Sequence, residues 1–403
     1  MMTRQFTSFD PPRRTLMGPG PSDVYPRVLE ALSRPTIGHL DPAFSDMMEE
    51  TKALLQYALR TGNPLTLPIS APGSAGMEAC FVNLVEPGEE VIVCVNGVFG
   101  GRMSENVVRA GGVPVVVEDA WGTPVDPQRL EDALRAHPSA RLVAFVQAET
   151  STGVLSDVRL LTEIAHRHDA LVIVDAVTAV GGCALEVDAW EVDAIYTGTQ
   201  KCLSAPPGLS PVSFGPRAVE RLQSRRRPVQ SWFLDHTLVM GYWGDGARRS
   251  YHHTAPINSL YALHEALLLL WEEGLEQAWE RHARMHRGLR AGLEALGIEF
   301  LVAPEHRLPQ LNTLRIPEKI DDATVRGRLL SEHGLEIGAG LGALTGKVWR
   351  IGLMGHSARS ENVFACLAAL EQVLGELGAP VEPGAAVDAA GSALEETPLA
   401  QSA

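Results

Sequence analysis

Polar and apolar positions change their period along this chain in a regular way. From about residue 22 to residue 215, stretches with helical spacing alternate with short apolar runs. The runs are VIVCV (91–95), VPVVV (113–117), RLVAFVQ (141–147), ALVIVD (170–175) and DAIYTG (193–198). Helical spacing fits residues 22–32, 42–60, 74–85, 101–110, 127–136 and 157–168. Apolar strands without polar alternation, spaced by helices, predict an α/β fold with a mostly parallel sheet covered on both faces. A long helical stretch over 257–296 follows. Beyond it FLVA, LNTLRIP, GLEIGAG and KVWRIGLM alternate with helical segments at 321–333 and 360–377, the pattern of a smaller α+β domain. The divisions expected are an N-terminal arm (1–14), a large domain (15–273), a small C-terminal domain (274–378) and a flexible tail (379–403). The tail is expected to be mobile because its Ala, Gly, Pro and Glu residues offer no large apolar face.

Length and composition narrow the function classes. At 403 residues the chain exceeds what one core ordinarily spans. The net charge of −15 argues against a nucleic-acid partner or an anionic membrane, which call for basic patches. Arg225–Arg227, the one basic run, reads as a solvated turn. No apolar run approaches the length of a membrane span, and the N-terminal residues lack a secretory apolar core. Five cysteines with no CxxC pair suit reduced thiols in the cytoplasm. The histidine pairs 252–253 and 166/168 lack convergent ligands, so no metal is expected. Thirty of the 34 basic residues are Arg, and the only lysines are Lys52, Lys201, Lys319 and Lys347.

Three local features can carry chemistry. Asp175 ends an apolar strand, where ligand sites of open α/β sheets collect. A carboxylate there either caps a helix, pairs within the protein, or meets a ligand cation. Lys201 follows the strand-end sequence TGTQ and opens a Pro/Gly-rich loop. In a desolvated cleft its amine would lose proton affinity and become nucleophilic; on a surface loop it would point to solvent. Ser70–Ala75 form a Gly/Ser turn opening a helix, where free N–H groups suit a phosphate, although such turns are common. Together the three match what pyridoxal 5′-phosphate requires: an amine for its aldehyde, a carboxylate for its ring nitrogen, and an anion site.

The ordered segments MGPGPSDVYPRV, GHLDPAF, ISAPGSAGMEA, VNGVFGGR, ETSTGV, VDAVTAVGG, TGTQKCLSAPPG, YHHTAPINSLYALHEAL and VWRIGLMG extend over residues 15–378. Along that length the chain resembles the class V, fold type I aminotransferases of the alanine–glyoxylate (serine–pyruvate) family. The resemblance implies a pyridoxal 5′-phosphate enzyme with a seven-stranded sheet in its large domain, working by a ping-pong mechanism. It implies that Lys201 holds the cofactor aldehyde as a Schiff base and shuttles the proton. Asp175 would pair with the ring nitrogen, Val177 and Phe99 would pack on the two ring faces, and Thr150 would bond the ring edge. Gly73, Ser74, Ala75 and Gln200 would hold the phosphate. Tyr251 and Thr254 would reach the phosphate of a neighbouring subunit, so a homodimer with shared active sites is implied. Arg350 would clamp the substrate carboxylate, with Gly20 and His39 beside the substrate.

One departure concerns the phosphate turn. The family often has Ser-Gly-Ser-Gly, whereas Pro72 here removes an N–H. The ureidoglycine–glyoxylate branch of the family is also similar to this chain. That branch carries an amide at the position of Tyr251 and Gln at that of His39, and a phenol and an imidazole match a ureido group less well. These positions favour a small L-amino acid, alanine or serine, as donor to glyoxylate. A lyase or cysteine desulfurase would need a reactive Cys over the cofactor. Cys202 abuts the lysine, and the other four lie in apolar stretches. A cofactor-sensing regulator would need a DNA-binding segment, which the arm and tail do not supply.

Overall fold

The computed structural model of the chain describes residues 6–243 and 250–395. Its centre is a seven-stranded sheet: β1 (Leu65–Ile69), β2 (Glu90–Val95), β3 (Val113–Glu118), β4 (Leu142–Val146), β5 (Leu171–Asp175), β6 (Ala194–Tyr196) and β7 (Ser210–Phe214). The spatial order is β1-β7-β6-β5-β4-β2-β3. Only β7 runs against its neighbours, so the other six strands share one direction. The apolar runs read from the sequence supply five of these strands, and β4 and β5 are buried throughout. The two strands not expected, β1 and β7, each carry a proline, and Pro68 faces Pro211 in their register.

Among the described residues nine helices accompany this sheet: α1 (Pro26–Leu32), α2 (Pro42–Leu59), α3 (Gly73–Leu84), α4 (Val98–Arg109), α5 (Pro127–Ala136), α6 (Val158–Arg167), α7 (Pro216–Gln223), α8 (His236–Trp243) and α9 (Ile257–Glu273). Their starts follow ordinary chemistry. Proline occupies the first turn of α1, α2, α5 and α7. Asp41, Asp126 and Asp157 accept hydrogen bonds from the free amides of α2, α5 and α6.

The long helical stretch expected over 257–296 is two helices. Gly274, with φ of 89°, separates α9 from α10 (Leu275–Ala295). A second core then forms around α10, the antiparallel strands β8 (Leu311–Arg315), β9 (Gly338–Ala339) and β10 (Val348–Gly352), and helices α11 (Asp322–His333) and α12 (Ser360–Glu376). FLVA forms no strand of this sheet; Phe300 makes a single bridge to Leu314.

The expected boundaries shift at both ends. Residues 15–17 were assigned to the large domain. Instead Thr15 and Leu16 pair in parallel with Leu335 and Glu336, and Met17 is fully buried in the second core. The expectation of a mobile tail also fails over α13 (Ala385–Glu395), which buries Ala386, Ala390 and Leu394 in that core. Glycines on α10 explain the packing. A Cβ at Gly288 would meet Leu394, and one at Gly292 would meet Leu367 and the Ala386 carbonyl. Small residues let the backbones approach, so a poorly apolar segment still finds a close-packed seat. Residues 396–403 lie outside the described part. No described helix is long and apolar enough to cross a membrane.

Candidate active site

Because six strands point one way, the loops after β1, β2, β4, β5 and β6 open at one edge of the sheet. They surround a cavity of about 120 Å³ lined by Gly73, Ser74, Met77, Phe99, Arg102, Thr150, Asp175, Val177, Tyr196, Gln200 and Lys201. Eight of these are residues singled out in the sequence.

Asp175 is the last residue of β5 and is almost wholly buried. Its Oδ1 accepts the Val177 amide at 2.9 Å, and its Oδ2 accepts the Tyr196 hydroxyl at 2.7 Å. Burial pushes the carboxyl up to about 6, and these two hydrogen bonds hold it from rising further. The group is therefore mainly a carboxylate at pH 7. Tyr196 faces Asp175 across β5 and β6, and burial beside that carboxylate raises its phenol well above the usual range.

Lys201 is buried, and its Nζ donates to the Pro19 carbonyl. Burial first, and the charge of Arg350 second, lower its amine to about 8. The amine stays mostly protonated at pH 7, with a neutral fraction far larger than that of an ordinary lysine. The strand-end turn is tied to the N-terminal segment: the Ser22 amide donates to the Gln200 carbonyl at 2.9 Å, and the Ser22 hydroxyl to the Lys201 carbonyl at 2.7 Å. Gly20, at φ of 103°, lies against the lysine, since a Cβ there would stand 2.5 Å from Nζ.

Gly73 and Ser74 form the first two positions of α3, with Pro72 before them. Among the described residues no acceptor engages either amide. Ala75, expected to share in phosphate binding, does not line the cavity, and its amide is already bonded to the Pro72 carbonyl at 2.7 Å. Phe99 opens α4, where the buried Glu149 carboxylate accepts the Phe99 and Gly100 amides. The Thr150 hydroxyl pairs with Thr178 at 2.9 Å.

Arg350 lies in the middle of β10 and reaches the site edge from the second core. Its Nε donates to the Ala339 carbonyl at 2.7 Å and its Nη1 to the Thr150 carbonyl at 3.0 Å. It is 6% exposed, burial lowers its guanidinium to about 10, and among the described residues it has no ion pair. A buried cation with so little compensation suits an incoming carboxylate.

Tyr251, Thr254 and His39 do not join the cavity within this chain. Tyr251 is 63% exposed, its hydroxyl lies 3.4 Å from that of Thr254, and its ring is 5.4 Å from His39. Sequence reading also missed Tyr196, Arg102, Met77 and Glu149. Two carried a signal: Arg102 stands one helical turn after Phe99, and Tyr196 sits in a strand that register places beside Asp175.

The donors present suit pyridoxal 5′-phosphate. A buried amine of lowered proton affinity, a strand-end carboxylate and a helix start with free amides line one cavity. The Gln200 carboxamide also ends in a buried oxygen with no partner at this wall. Comparison with known proteins agrees. The model of the family "Aminotransferase class-V" matches residues 21–363. An alanine–glyoxylate aminotransferase from Nostoc sp. superposes with a TM-score of 0.90 at 44% identity, covering 92% of this chain and 98% of that one. The ureidoglycine–glyoxylate aminotransferase of Bacillus subtilis superposes with a TM-score of 0.94 at 39% identity, covering 97% and 100%. The alanine–glyoxylate aminotransferase of Callithrix jacchus is 40% identical over 90% of this chain and 88% of its own length. Dependence on pyridoxal 5′-phosphate is a general property of this family, and with matches along nearly its whole length the chain belongs to the class V aminotransferases.

Proposed function

We propose that this aminotransferase moves an amino group from a small L-amino acid, alanine or serine, to glyoxylate. The observation that carries the reading is the convergence of Lys201, Asp175 and the free α3 amides on one cavity, with Arg350 at its edge. When bound, pyridoxal 5′-phosphate supplies an electrophilic aldehyde and an electron-withdrawing ring. Lys201 Nζ is the base and proton carrier, because burial leaves a useful share of it neutral. The Asp175 carboxylate holds a proton on the ring nitrogen, and Tyr196 and Val177 keep its oxygens in place. Phe99 and Val177 both line the cavity and would supply apolar contact to the faces of a planar ring. Arg350 orients the substrate carboxylate through its guanidinium fork. Donor and acceptor use the same site in turn, each leaving as a 2-oxo acid or an amino acid.

Homodimerisation follows from the same reading. Tyr251 and Thr254 face outward, as side chains that complete a partner's phosphate site would. Five buried free thiols suit a reducing cytoplasm. Ureidoglycine as donor is the second reading, supported by the likeness to the Bacillus subtilis enzyme along 97% of this chain. A donor-by-acceptor panel tests both. Turnover of alanine or serine with glyoxylate at least about tenfold above ureidoglycine supports the first reading, and the reverse order replaces it with the second.

A further inference from the structure

The α3 turn is short of donors for a phosphate dianion. Pro72 has no N–H, and the Ala75 amide is spent on the Pro72 carbonyl. Two backbone amides, those of Gly73 and Ser74, and one hydroxyl remain at the helix start. The partial positive charge of a helix end falls well short of balancing a dianion. The other cations of the site are committed elsewhere. Lys201 lies beside Asp175 and donates to the Pro19 carbonyl, and Arg350 is held by the carbonyls of Ala339 and Thr150.

Among the described residues, Arg102 is the remaining cation on the cavity wall. Its Nη1 donates to the Ser74 hydroxyl at 3.3 Å, and its guanidinium carbon lies 4.9 Å from the Phe99 ring centroid. Among the described residues no carboxylate pairs with it. The helix that carries it is fixed at its start, where Glu149 accepts the Phe99 and Gly100 amides. The guanidinium is thus tethered to the phosphate turn on one side and to an aromatic face on the other.

We infer that Arg102 is the cationic anchor for the phosphate ester of the cofactor, standing in for the donor that Pro72 removes. The inference rests on the proposed reading of this cavity as the cofactor site. A guanidinium offers a phosphate two parallel N–H groups and full charge, which a third backbone amide would not. Stacking on Phe99 also makes one side chain serve both ends of the cofactor, since the ring that would cover the pyridine positions the group that would hold the ester.

The test uses the full-length protein stripped of cofactor and titrated with pyridoxal 5′-phosphate and, separately, with pyridoxal, which lacks the ester. Arg102→Gln should bind pyridoxal 5′-phosphate roughly 10- to 100-fold more weakly than wild type. Its affinity for pyridoxal should stay unchanged, and Arg102→Lys should recover part of the loss. An equal loss for both ligands means a merely structural role and overturns the inference, as does no loss for either. Failure of the wild type to bind pyridoxal 5′-phosphate overturns the cofactor reading itself, whereas wild-type binding with Arg102→Gln unaltered overturns the inference alone.

Discussion

Two groups of candidate residues in this molecule are built in opposite ways. Asp175 ends a buried strand and Lys201 lies buried in the loop after the next one, and every polar contact they make is internal. Their charges are desolvated, and their proton affinities move toward one another, the carboxyl up and the amine down. Tyr251 and Thr254 are exposed and His39 is half-buried, joined by one long hydroxyl contact and one tilted ring contact. The first group is complete within a single chain. Among the described residues the second is held only loosely, by the Tyr242 hydroxyl on the His39 carbonyl and by the contacts within the group. Burial here separates the residues proposed for chemistry from those proposed to meet a second subunit.

Substitutions rank the two groups. Lys201→Ala should abolish borohydride-trapped labelling by the cofactor and lower the transamination rate by at least about 10³-fold. Persistent labelling at another lysine would move the chemistry elsewhere. Gly20→Ala should lie between the extremes. Its Cβ would press on Nζ, and the backbone at φ of 103° disfavours a side chain, so the rate should fall roughly 10- to 100-fold while the fold persists. Rate and thermal melting measured together separate that outcome from unfolding. Tyr251→Phe should have the smallest effect, under about tenfold, because it removes one hydroxyl at an exposed position. If it exceeded the loss in Gly20→Ala, the contrast between inner and outer groups would be wrong.

The parts of this architecture that were legible in sequence were those dictated by solvent exclusion. β4 and β5 have no polar residue before Asp175, and only a doubly covered strand reads that way. Lys201 stood out because arginine fills nearly every other cationic position. β1 and β7 were hidden by Pro68 and Pro211, which ordinarily argue against strands yet pair here in an antiparallel register. Helix α13 was hidden because its seat depends on Gly288 and Gly292, residues distant in sequence that carry no apolar signal of their own. Tyr196 read as one more apolar strand residue, since its hydroxyl acquires meaning only when β6 is laid beside β5. The use of the Ala75 amide within its own turn is not legible, because a pattern of turn residues does not reveal which amides the turn itself bonds.

The segment from Thr15 to Ser22 has a mechanical consequence. At one end Thr15 and Met17 donate to the carbonyls of Gly334 and Glu336 in the second core. At the other, Pro19 receives the lysine amine, while Ser22 bonds to the backbone of Gln200 and Lys201. Eight residues thus act as a tie rod between the C-terminal core and the Lys201 amine. Any sliding of that core against the sheet must either break these bonds or drag the peptide that holds the amine. A fusion partner or affinity tag placed close to residue 15 would therefore pull on the peptide that holds the Lys201 amine, although it lies outside the cavity.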